Sequence, residues 1–462
     1  MSKRVLVLGV SGVLLAGCAA TPHYERPATE LPANWNQTAE RPASAARWWR
    51  IYADPVLDQL VEEAHAHNTD MLLAAARVDE ARAVLAQADS AFYPSVGMAA
   101  SGGRSLSSSA TGLLPPGVER ERNLYRGALD VAYEVDLWGR LRTASQAAQA
   151  ELLASAAARD TMRISITAEV VKAYFGLRAL DAQVDATRRS LALRIDWLAL
   201  QRKRLDSGLV SEAEYRQLEA EVAAARAQLA PLERDRELQD AALAVLLGRS
   251  PRAIIEDAVA RPMDTVAALL PAVLPAGLPS ELLLRRPDLV EAEQRLVAAN
   301  ARVALARSAY FPSVQLTGLL GTEAAALSNL FTGPAAIWQL AAAVTAPIFS
   351  GGRLAAQTEA AEARERQAVA AYQGSIQNAF REVRAALAAQ TRARESFQAE
   401  SERADALAAT LRLTRMRYEH GLASQLEIID AERNLLAADI ARAGTLRAQR
   451  AAVADLFRAL GG

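Results

Sequence analysis

Cys18 has the most distinctive chemistry in this chain, because it is the only cysteine among 462 residues. It ends the run LAGC at 15–18, which follows a basic start and an apolar stretch at 5–15. This order is typical of a bacterial secretion signal that is cut before the cysteine. We therefore predict a signal peptide at 1–17 and a mature chain whose Cys18 carries covalent lipid, palmitate included. The alternative is an ordinary secretory signal with an incidental cysteine.

Other residue types that do chemistry are sparse. The four histidines include His65 and His67, which are two positions apart and so cannot share a helix face. Neither they nor the isolated His23 and His420 predict a metal cluster. The glycine pairs at 102–103 and 351–352 lack a phosphate-loop pattern. We expect no enzyme, no metal and no cofactor apart from the lipid.

Composition excludes one class of partner and favours one class of fold. The chain has 52 basic and 53 acidic residues, a net charge of −1, so no nucleic-acid surface is expected. Aromatic residues make up 5% and alanine is abundant, which is typical of closely packed helices. No apolar run after the signal approaches the ~20 residues of a membrane-spanning helix. If this chain crosses a membrane, it must do so as a closed β-barrel.

The chain reads as an internal tandem duplication. AFYPSV at 91–96 returns as AYFPSV at 309–314. Two further pairs of segments each lie 213 positions apart. These are WGRL at 138–141 with GGRL at 351–354, and RLDSGLVS at 204–211 with RYEHGLAS at 417–424. We predict an arm at 18–53, a first repeat at 54–249, a proline-rich equatorial linker at 250–279 and a second repeat at 280–462.

Each repeat is predicted to hold a helix, a β-hairpin, a long helix and a return helix. Asp54 and Pro55 predict a cap and first turn for a helix that runs to about 91, and 280–309 is its counterpart. The hairpins are predicted at 95–137 and 313–349. In 129–137 apolar and acidic residues largely alternate, which favours a strand with one apolar face.

The long helices are predicted at 140–206 and 353–419. In both, most residues spaced seven apart along one stripe are apolar, which is typical of helices that supercoil around partners. Pairing Tyr174 with Phe380 predicts a second long helix that is seven residues shorter. Gly208 and Gly421 should end these helices. Return helices should then run from Ser211 to about 247 and from Ser424 to about 460.

These motifs resemble the outer-membrane factors of tripartite, RND-type efflux systems, the TolC-like channel-tunnel lipoproteins of the NodT/OprM-type branch. The similarity covers nearly the whole mature chain. It rests on the segments 133–140, 285–289, 299–302, 311–313, 347–353, 417–422 and 430–433.

The resemblance implies a mainly α fold with a membrane β-barrel part. Three copies would each supply four strands to one shared twelve-stranded barrel, since the smallest membrane barrels use about eight, and long coiled-coil helices to an α-barrel. The homotrimer would sit in the bacterial outer membrane, anchored by lipid, with its tunnel in the periplasm. It would passively conduct small molecules such as drugs and toxic compounds, delivered by an inner-membrane efflux pump through a periplasmic adaptor protein.

In this family a network of tyrosine, arginine and acidic residues near the second helix turn holds the tunnel shut. The gate candidates here are Arg415, Tyr418, Glu427 and Asp430. Each of them is alternatively a solvated coiled-coil residue, or for Asp430 a helix-packing ion pair. Adaptor docking is expected near the same turns, at Arg204, Leu205, Gly208, Leu209, Arg417, Tyr418, Gly421 and Leu422.

The main alternative is a periplasmic adaptor lipoprotein whose coiled coil is structural. An adaptor has one helical hairpin flanked by small β domains, whereas this chain repeats its hairpin and lacks a long β-rich tail. The duplication therefore favours the duct.

Overall fold

The structure of this chain is a computed structural model, which describes residues 24–28, 47–111, 117, 119–261 and 282–462. The described part divides into two compact units. The first comprises 24–28, 77–156 and 291–373, and the second holds the remaining residues.

Helices dominate the described part, and one sheet interrupts them. The predicted first repeat contains α1 (Pro55–His67), α2 (Thr69–Ser90), β1 (Ser95–Leu106), β2 (Glu121–Val135), α3 (Arg140–Asp206) and α4 (Glu212–Leu246). After it come the short helices α5 (Pro251–Glu256) and α6 (Leu282–Arg285). The second repeat adds α7 (Pro287–Ser308), β3 (Ser313–Ala324), β4 (Ala336–Thr345), α8 (Arg353–Glu419) and α9 (Gln425–Leu460). Short 3-10 turns lie at Trp48–Tyr52, Ser109–Thr111, Leu327–Asn329 and Gly333–Ala335.

The sheet of the first unit is antiparallel throughout, in the order β1-β2-β3-β4. The two hairpins join through β2 and β3, where Ala128 lies opposite Gly321. A Cβ at Gly321 would come within 2.3 Å of the carbonyl oxygen of Gly127, so only glycine allows this approach of the two backbones. In the described part, β1 and β4 each have one edge without a partner strand.

The two faces of this sheet differ in character, because successive side chains point to opposite sides. The register puts Val96, Leu129 and Leu320 on one face, and most large side chains on this face are solvent-exposed in the single chain. The same face carries Met98, Val131, Leu316, Trp338, Leu340 and Val344. The opposite face is mostly small or polar and includes Ser95, Ser101, Asp130, Gln315, Thr317 and Gln339.

The motif at 133–140 forms the elbow between β2 and α3. Asp136 caps α3 by accepting hydrogen bonds from the backbone N–H groups of Leu141 and Arg142, at 3.1 and 3.0 Å. Arg140 donates two hydrogen bonds to the Glu134 carboxylate, at 2.7 and 2.6 Å. The indole N–H of Trp138 donates to the carbonyl of Pro312 at 2.7 Å. The motif therefore fixes how the strand turns into the helix and ties the elbow to the start of β3.

The arm also contacts the first unit. Arg26 donates two hydrogen bonds of 2.7 Å to the carboxylate of Glu293, which lies in α7 and is buried. The hydroxyl of Tyr24 donates to the same carboxylate at 3.3 Å. Burial and the Glu293 charge both raise the pKa of Tyr24, which keeps its hydroxyl protonated. The described part of the arm is thus held by one buried carboxylate.

The second unit has a mixed aliphatic and aromatic core. Trp48 stacks on Phe457, with ring centroids 5.0 Å apart, and Tyr52 packs against Phe175 at 4.8 Å. The core also buries Leu57, Val61, Val170, Leu177, Leu243, Val383, Val453 and Leu456.

A single helix predicted from residue 54 to about 91 is wrong, because the chain breaks at Asn68. Asn68 has an extended backbone, and its side-chain oxygen accepts from the N–H groups of Asp70 and Met71, which caps α2. Its amide nitrogen donates to the carbonyl of Leu246 at 2.8 Å. A Cβ at Gly248 would come within 2.1 Å of the His67 carbonyl oxygen, so the break and the end of α4 fit each other closely.

Proline positions explain two further differences from the expected elements. The segment 280–309 holds two helices, because Pro287 starts α7 and disfavours a helical residue before it. Arg286 fills the break, where it is buried and donates to Asp288 at 2.7 Å and to Glu382 at 2.9 Å. The predicted linker also begins with a short helix. Ser250 caps α5 and Pro251 occupies its first turn, where proline is tolerated.

The prediction of a shorter second long helix is wrong, since α3 and α8 both contain 67 residues. Every position of the predicted heptad stripes is buried or half-buried. These positions are 170, 177, 184, 191, 198 and 205 in α3, and 376, 383, 390, 397, 404, 411 and 418 in α8. The seven-residue repeat therefore marks the packed sides of both helices.

Candidate functional site

The predicted site lies where the two helical hairpins turn, in the second unit, and both turns have the same backbone geometry. Gly208 and Gly421 have φ values of 70° and 71°, a left-handed conformation that favours glycine. The N–H of Leu209 donates to the carbonyl of Arg204 at 2.8 Å, and the corresponding bond from Leu422 is 2.7 Å. These bonds close Schellman-type helix ends.

Capping boxes start both return helices. Ser211 and Glu214 exchange side-chain and backbone hydrogen bonds at the start of α4. Ser424 and Glu427 do the same at the start of α9, with bonds of 2.9 and 3.3 Å. Two serines in equivalent positions of the repeats therefore define where each hairpin returns.

Three side-chain contacts join the two helical hairpins near these turns. The Arg204 guanidinium in α3 donates to the hydroxyl of Tyr418 in α8 at 2.8 Å. The Tyr418 ring also packs against Trp197, with ring centroids 5.3 Å apart. Further contact comes from Gln201, whose amide donates to the side-chain oxygen of Gln425 at 2.8 Å. We call this group, Trp197, Gln201, Arg204, Tyr418 and Gln425, the hairpin junction.

Sequence reasoning picked Arg204 and Tyr418 but missed the other three residues of the junction. Trp197, Gln201 and Arg204 are four and three positions apart, the spacing that aligns side chains on one helix face. That spacing, with a lone tryptophan in a coiled-coil helix, was the available signal. Gln425 follows the capping serine and gave no signal of its own.

Two residues expected to act together are separated. Arg415 pairs with Glu432 at 2.7 Å rather than with a gate carboxylate, and Glu432 is buried. Asp430 is exposed and makes no ion pair or side-chain hydrogen bond within the described residues. Glu432, rather than Asp430, therefore forms the ion pair between packed helices, with Arg415 as its partner.

Glu427 has a structural task at the same turn. The backbone N–H of Ser424 and, to a smaller extent, its hydroxyl donate hydrogen bonds to the Glu427 carboxylate. These bonds hold the pKa of the Glu427 carboxyl below its usual value, and the positive charge of Arg417 lowers it further. Arg417 lies 3.6 Å from this carboxylate and also donates to the carbonyl of Leu422 at 3.0 Å. Glu427 is therefore a helix-capping residue that stays ionised near neutral pH.

The residues expected to dock an adaptor form an exposed pair of turns. Leu209 and Leu422 are 74% and 69% exposed, although an apolar residue at this position often packs back against the last turn of its helix. Arg417 is exposed as well, whereas Leu205 and Arg204 are half-buried. Each turn thus presents one apolar side chain beside the backbone of a glycine.

Two polar atoms at this end of the hairpins are buried and find no hydrogen-bond partner in the described part of the chain. They are the side-chain oxygen of Gln201 and the Nε of Arg415. An unmet polar group of this kind usually costs about 1 to 3 kcal/mol. These two atoms therefore make the packing at this end of the hairpins less favourable than it would be with every polar group paired.

Several expected features lie outside the described residues. These are the signal peptide, Cys18, His23, most of the arm and the linker from 262 on. Within the described residues, no helix is both long enough and apolar enough to cross a membrane. The same residues contain no group of three or more potential metal ligands.

Comparison with known proteins places the chain in a family. The family model described as "Outer membrane efflux protein" matches residues 60–249 and 278–462. The toluene efflux pump outer membrane protein TtgC of Pseudomonas putida is 33% identical, covering 100% of this chain and 96% of its own length. The cation efflux system protein CusC of Escherichia coli is 32% identical, covering 100% and 99%. The crystal structure of the Campylobacter jejuni CmeC outer membrane channel matches with a TM-score of 0.90 at 25% identity, covering 96% of this chain and 95% of that one.

These similarities extend over both repeats, the sheet and the hairpins, and they rule out the periplasmic adaptor alternative. The sequence-based assignment of the fold is confirmed, as a mainly helical chain with a four-stranded sheet that matches a known outer-membrane channel. The chain belongs to the outer membrane efflux protein family and is an outer-membrane exit duct for efflux.

Proposed function

We propose that three copies of this chain form the duct, each supplying its four strands to one twelve-stranded barrel in the outer membrane. The observation that carries this proposal is the two-faced sheet with unpaired edges at β1 and β4. Four strands are too few to close a pore, since the smallest membrane barrels use about eight. Pairing of β1 with β4 of a neighbouring copy would satisfy both edges and turn the apolar face toward lipid.

The duct conducts passively and performs no catalytic step. Energy and substrate choice come from an inner-membrane pump, and a periplasmic adaptor joins that pump to the hairpin turns. The names of TtgC and CusC refer to toluene and to cations, although each shares about a third of its residues with this chain. Because proteins of similar sequence are named for such different substrates, we infer that the duct accepts small drugs and toxic compounds and that the pump selects among them.

The gate lies at the hairpin junction. Tyr418 and Arg204 belong to different hairpins of one copy, so their bond must break if the hairpins separate. The exposed Asp430 of three copies would form a ring of carboxylates that favours cations and repels its own members. Leu209 and Leu422 are the apolar contacts for the adaptor, and Arg417, Gly208 and Gly421 hold the shape of the turns.

Lipid on Cys18 is an auxiliary anchor, since the barrel itself would hold the trimer in the membrane. Ala19 follows the cysteine, which resembles bacterial lipoproteins that are sent on to the outer membrane. The lipid is accordingly the only covalent group proposed for the chain. Replacing Cys18 should hinder delivery or assembly more than conduction.

Membrane fractionation followed by gel migration without heating tests the proposal. We expect a heat-sensitive trimer band in the outer-membrane fraction. A monomer in the periplasm or the inner membrane would contradict it. Cys18→Ser is the matched variant, because it should lower the amount of trimer while any trimer that forms keeps its heat sensitivity.

A further inference from the structure

Asp130 lies near the middle of β2 on the small, polar face of the sheet. It pairs with Gly97 of β1 and with Leu319 of β3. Its side chain is exposed, and within the described residues it makes no ion pair or hydrogen bond. A full negative charge therefore stands alone on this face.

The nearest other charges on the polar face neutralise one another. Arg126 and Glu323 face each other across β2 and β3, with 4.0 Å between their nearest charged atoms. Glu134 pairs with Arg140 at 2.6 Å. Both pairs have zero net charge, so neither offsets Asp130.

Strands of a neighbouring copy could not offset it either. On the polar face, β1 carries only serine, glycine and alanine, at 95, 97, 99, 101, 103 and 105. The polar face of β4 carries isoleucine, glutamine, alanine and threonine, at 337, 339, 341, 343 and 345. Whichever register joins two copies, no charge from these edge strands can reach Asp130.

The remaining charge on this face, Arg122, is too far away to matter at physiological salt. It lies eight residues from Asp130 along β2, or about 26 Å at the usual strand rise. This distance is about three Debye lengths at 0.15 M salt, where the screening length is about 8 Å. Asp130 therefore sets the local potential.

We propose that Asp130 is a charge-selecting residue of the pore, one in each copy, which concentrates cations and repels anions at its level of the barrel. The inference rests on the proposed barrel, in which the polar face lines the lumen and symmetry turns one carboxylate into a ring of three. Rings of carboxylates are a general device for favouring cations. The ring would favour cationic and zwitterionic small molecules over anionic ones of the same size.

The local potential can be measured with charged thiol reagents, independently of any gate at the hairpins. Ala132→Cys places a thiol two residues from Asp130 on the same face, about 7 Å away. The rates of modification by a cationic and by an anionic methanethiosulfonate are compared in outer-membrane vesicles. The parent chain gives the background, and Val131→Cys reports the apolar face.

We expect Asp130→Asn to lower the ratio of the cationic rate to the anionic rate at Ala132→Cys about threefold or more in ~10 mM salt, where the Debye length is about 30 Å. The change should vanish in ~1 M salt, where that length is about 3 Å. Asp130→Glu should keep the ratio. The double variant Arg126→Gln with Glu323→Gln should also leave it unchanged, because it removes no net charge.

An unchanged ratio after Asp130→Asn, with Ala132→Cys still reactive, overturns the charge-selecting role and leaves the barrel standing. If Ala132→Cys reacts with neither reagent while Val131→Cys reacts with both, the polar face is not the lumen and the proposed barrel fails. Asp130→Ser is a second neutral variant, and an unheated trimer band shows that each variant is assembled.

Discussion

At the residue scale, Tyr418 combines two contacts that substitution can separate. Its ring packs on Trp197 and its hydroxyl accepts from Arg204. Tyr418→Phe keeps the ring and removes the hydrogen bond, which typically contributes about 0.5 to 1.5 kcal/mol, and more when one partner is charged. We expect more frequent openings in single-channel recordings and unchanged trimer assembly.

The control for this variant is Tyr215→Phe, on the return helix of the first hairpin. Tyr215 contacts Arg202 and Arg216 through its ring. Its hydroxyl makes no hydrogen bond within the described residues. Its variant should conduct like the parent. If Tyr418→Phe and Tyr215→Phe give the same recordings as the parent, the Tyr418 hydroxyl is not part of the closed state.

The two acidic gate candidates should now behave differently. Asp430 is exposed and has no partner within the described residues, so Asp430→Asn should reduce the preference for cations in a salt gradient and leave the melting temperature unchanged. Glu427→Gln should instead weaken the start of α9, because glutamine can keep the cap but loses the negative charge that favours the N-terminal end of a helix. This assignment of charge selection to Asp430 and of helix stability to Glu427 would be contradicted if both variants changed the cation preference equally and Glu427→Gln lost no stability.

The lowered pKa of Glu427 also fixes the direction of a pH effect. A carboxyl whose pKa is lower in the folded chain than in the unfolded one stabilises the fold above the unfolded value, which is about 4.3 for glutamate. The contribution is lost as the pH falls through the folded value. Acid should therefore loosen the start of α9, whereas neutral and alkaline buffers should not.

At the element scale, the pairing of the two β-hairpins through β2 and β3 depends on one glycine. Gly321→Ala would press a Cβ against the Gly127 backbone and separate β2 from β3. Gly97→Ala is the matched control, since a Cβ there meets nothing within 4 Å. We expect Gly321→Ala to reduce the yield of heat-sensitive trimer strongly and Gly97→Ala to leave it near that of the parent. Equal yields would show that β2 and β3 do not pair as described.

The elements show which features local sequence predicts and which it does not. Glycine, serine and the seven-residue repeat predict the long helices, their ends and the caps, because these depend on neighbours within a few residues. The break at Asn68 was not predictable in the same way. Asn68 sits in a helical pattern, and its role depends on Leu246 and Gly248, almost 180 residues further along the chain.

The same contrast holds for the site. Gly208, Gly421 and their serines follow from local rules, so the position of the turns was predictable. Pairing of Arg415 with Glu432 is set by how α8 packs against α9 within one hairpin, and pairing of Arg204 with Tyr418 by how the two helical hairpins pack side by side. A heptad pattern predicts that helices pack but does not give the pairs that meet, so the partners of these arginines required the structure.

At the scale of the whole molecule, the predicted duplication would explain how one chain makes a sheet of two β-hairpins. Each repeat supplies one hairpin, and the pairing of β2 with β3 joins the repeats while leaving β1 and β4 at the edges. An exposed edge with an apolar face is an aggregation hazard unless another strand covers it. Closure with two further copies would remove both edges at once.

Disulfide cross-linking between β1 and β4 tests this closure most directly, since Cys18 is the only native cysteine. Ser101→Cys in β1 is combined in turn with Gln339→Cys, Ala341→Cys or Ala343→Cys in β4. Ser95→Cys with Ala132→Cys, a pair in register within one chain, is the control that adds no mass. We predict that at least one combination gives bands of two and three chain masses after oxidation, ending at three. A ladder that continues past three, or single chains from every combination, would contradict the trimeric barrel.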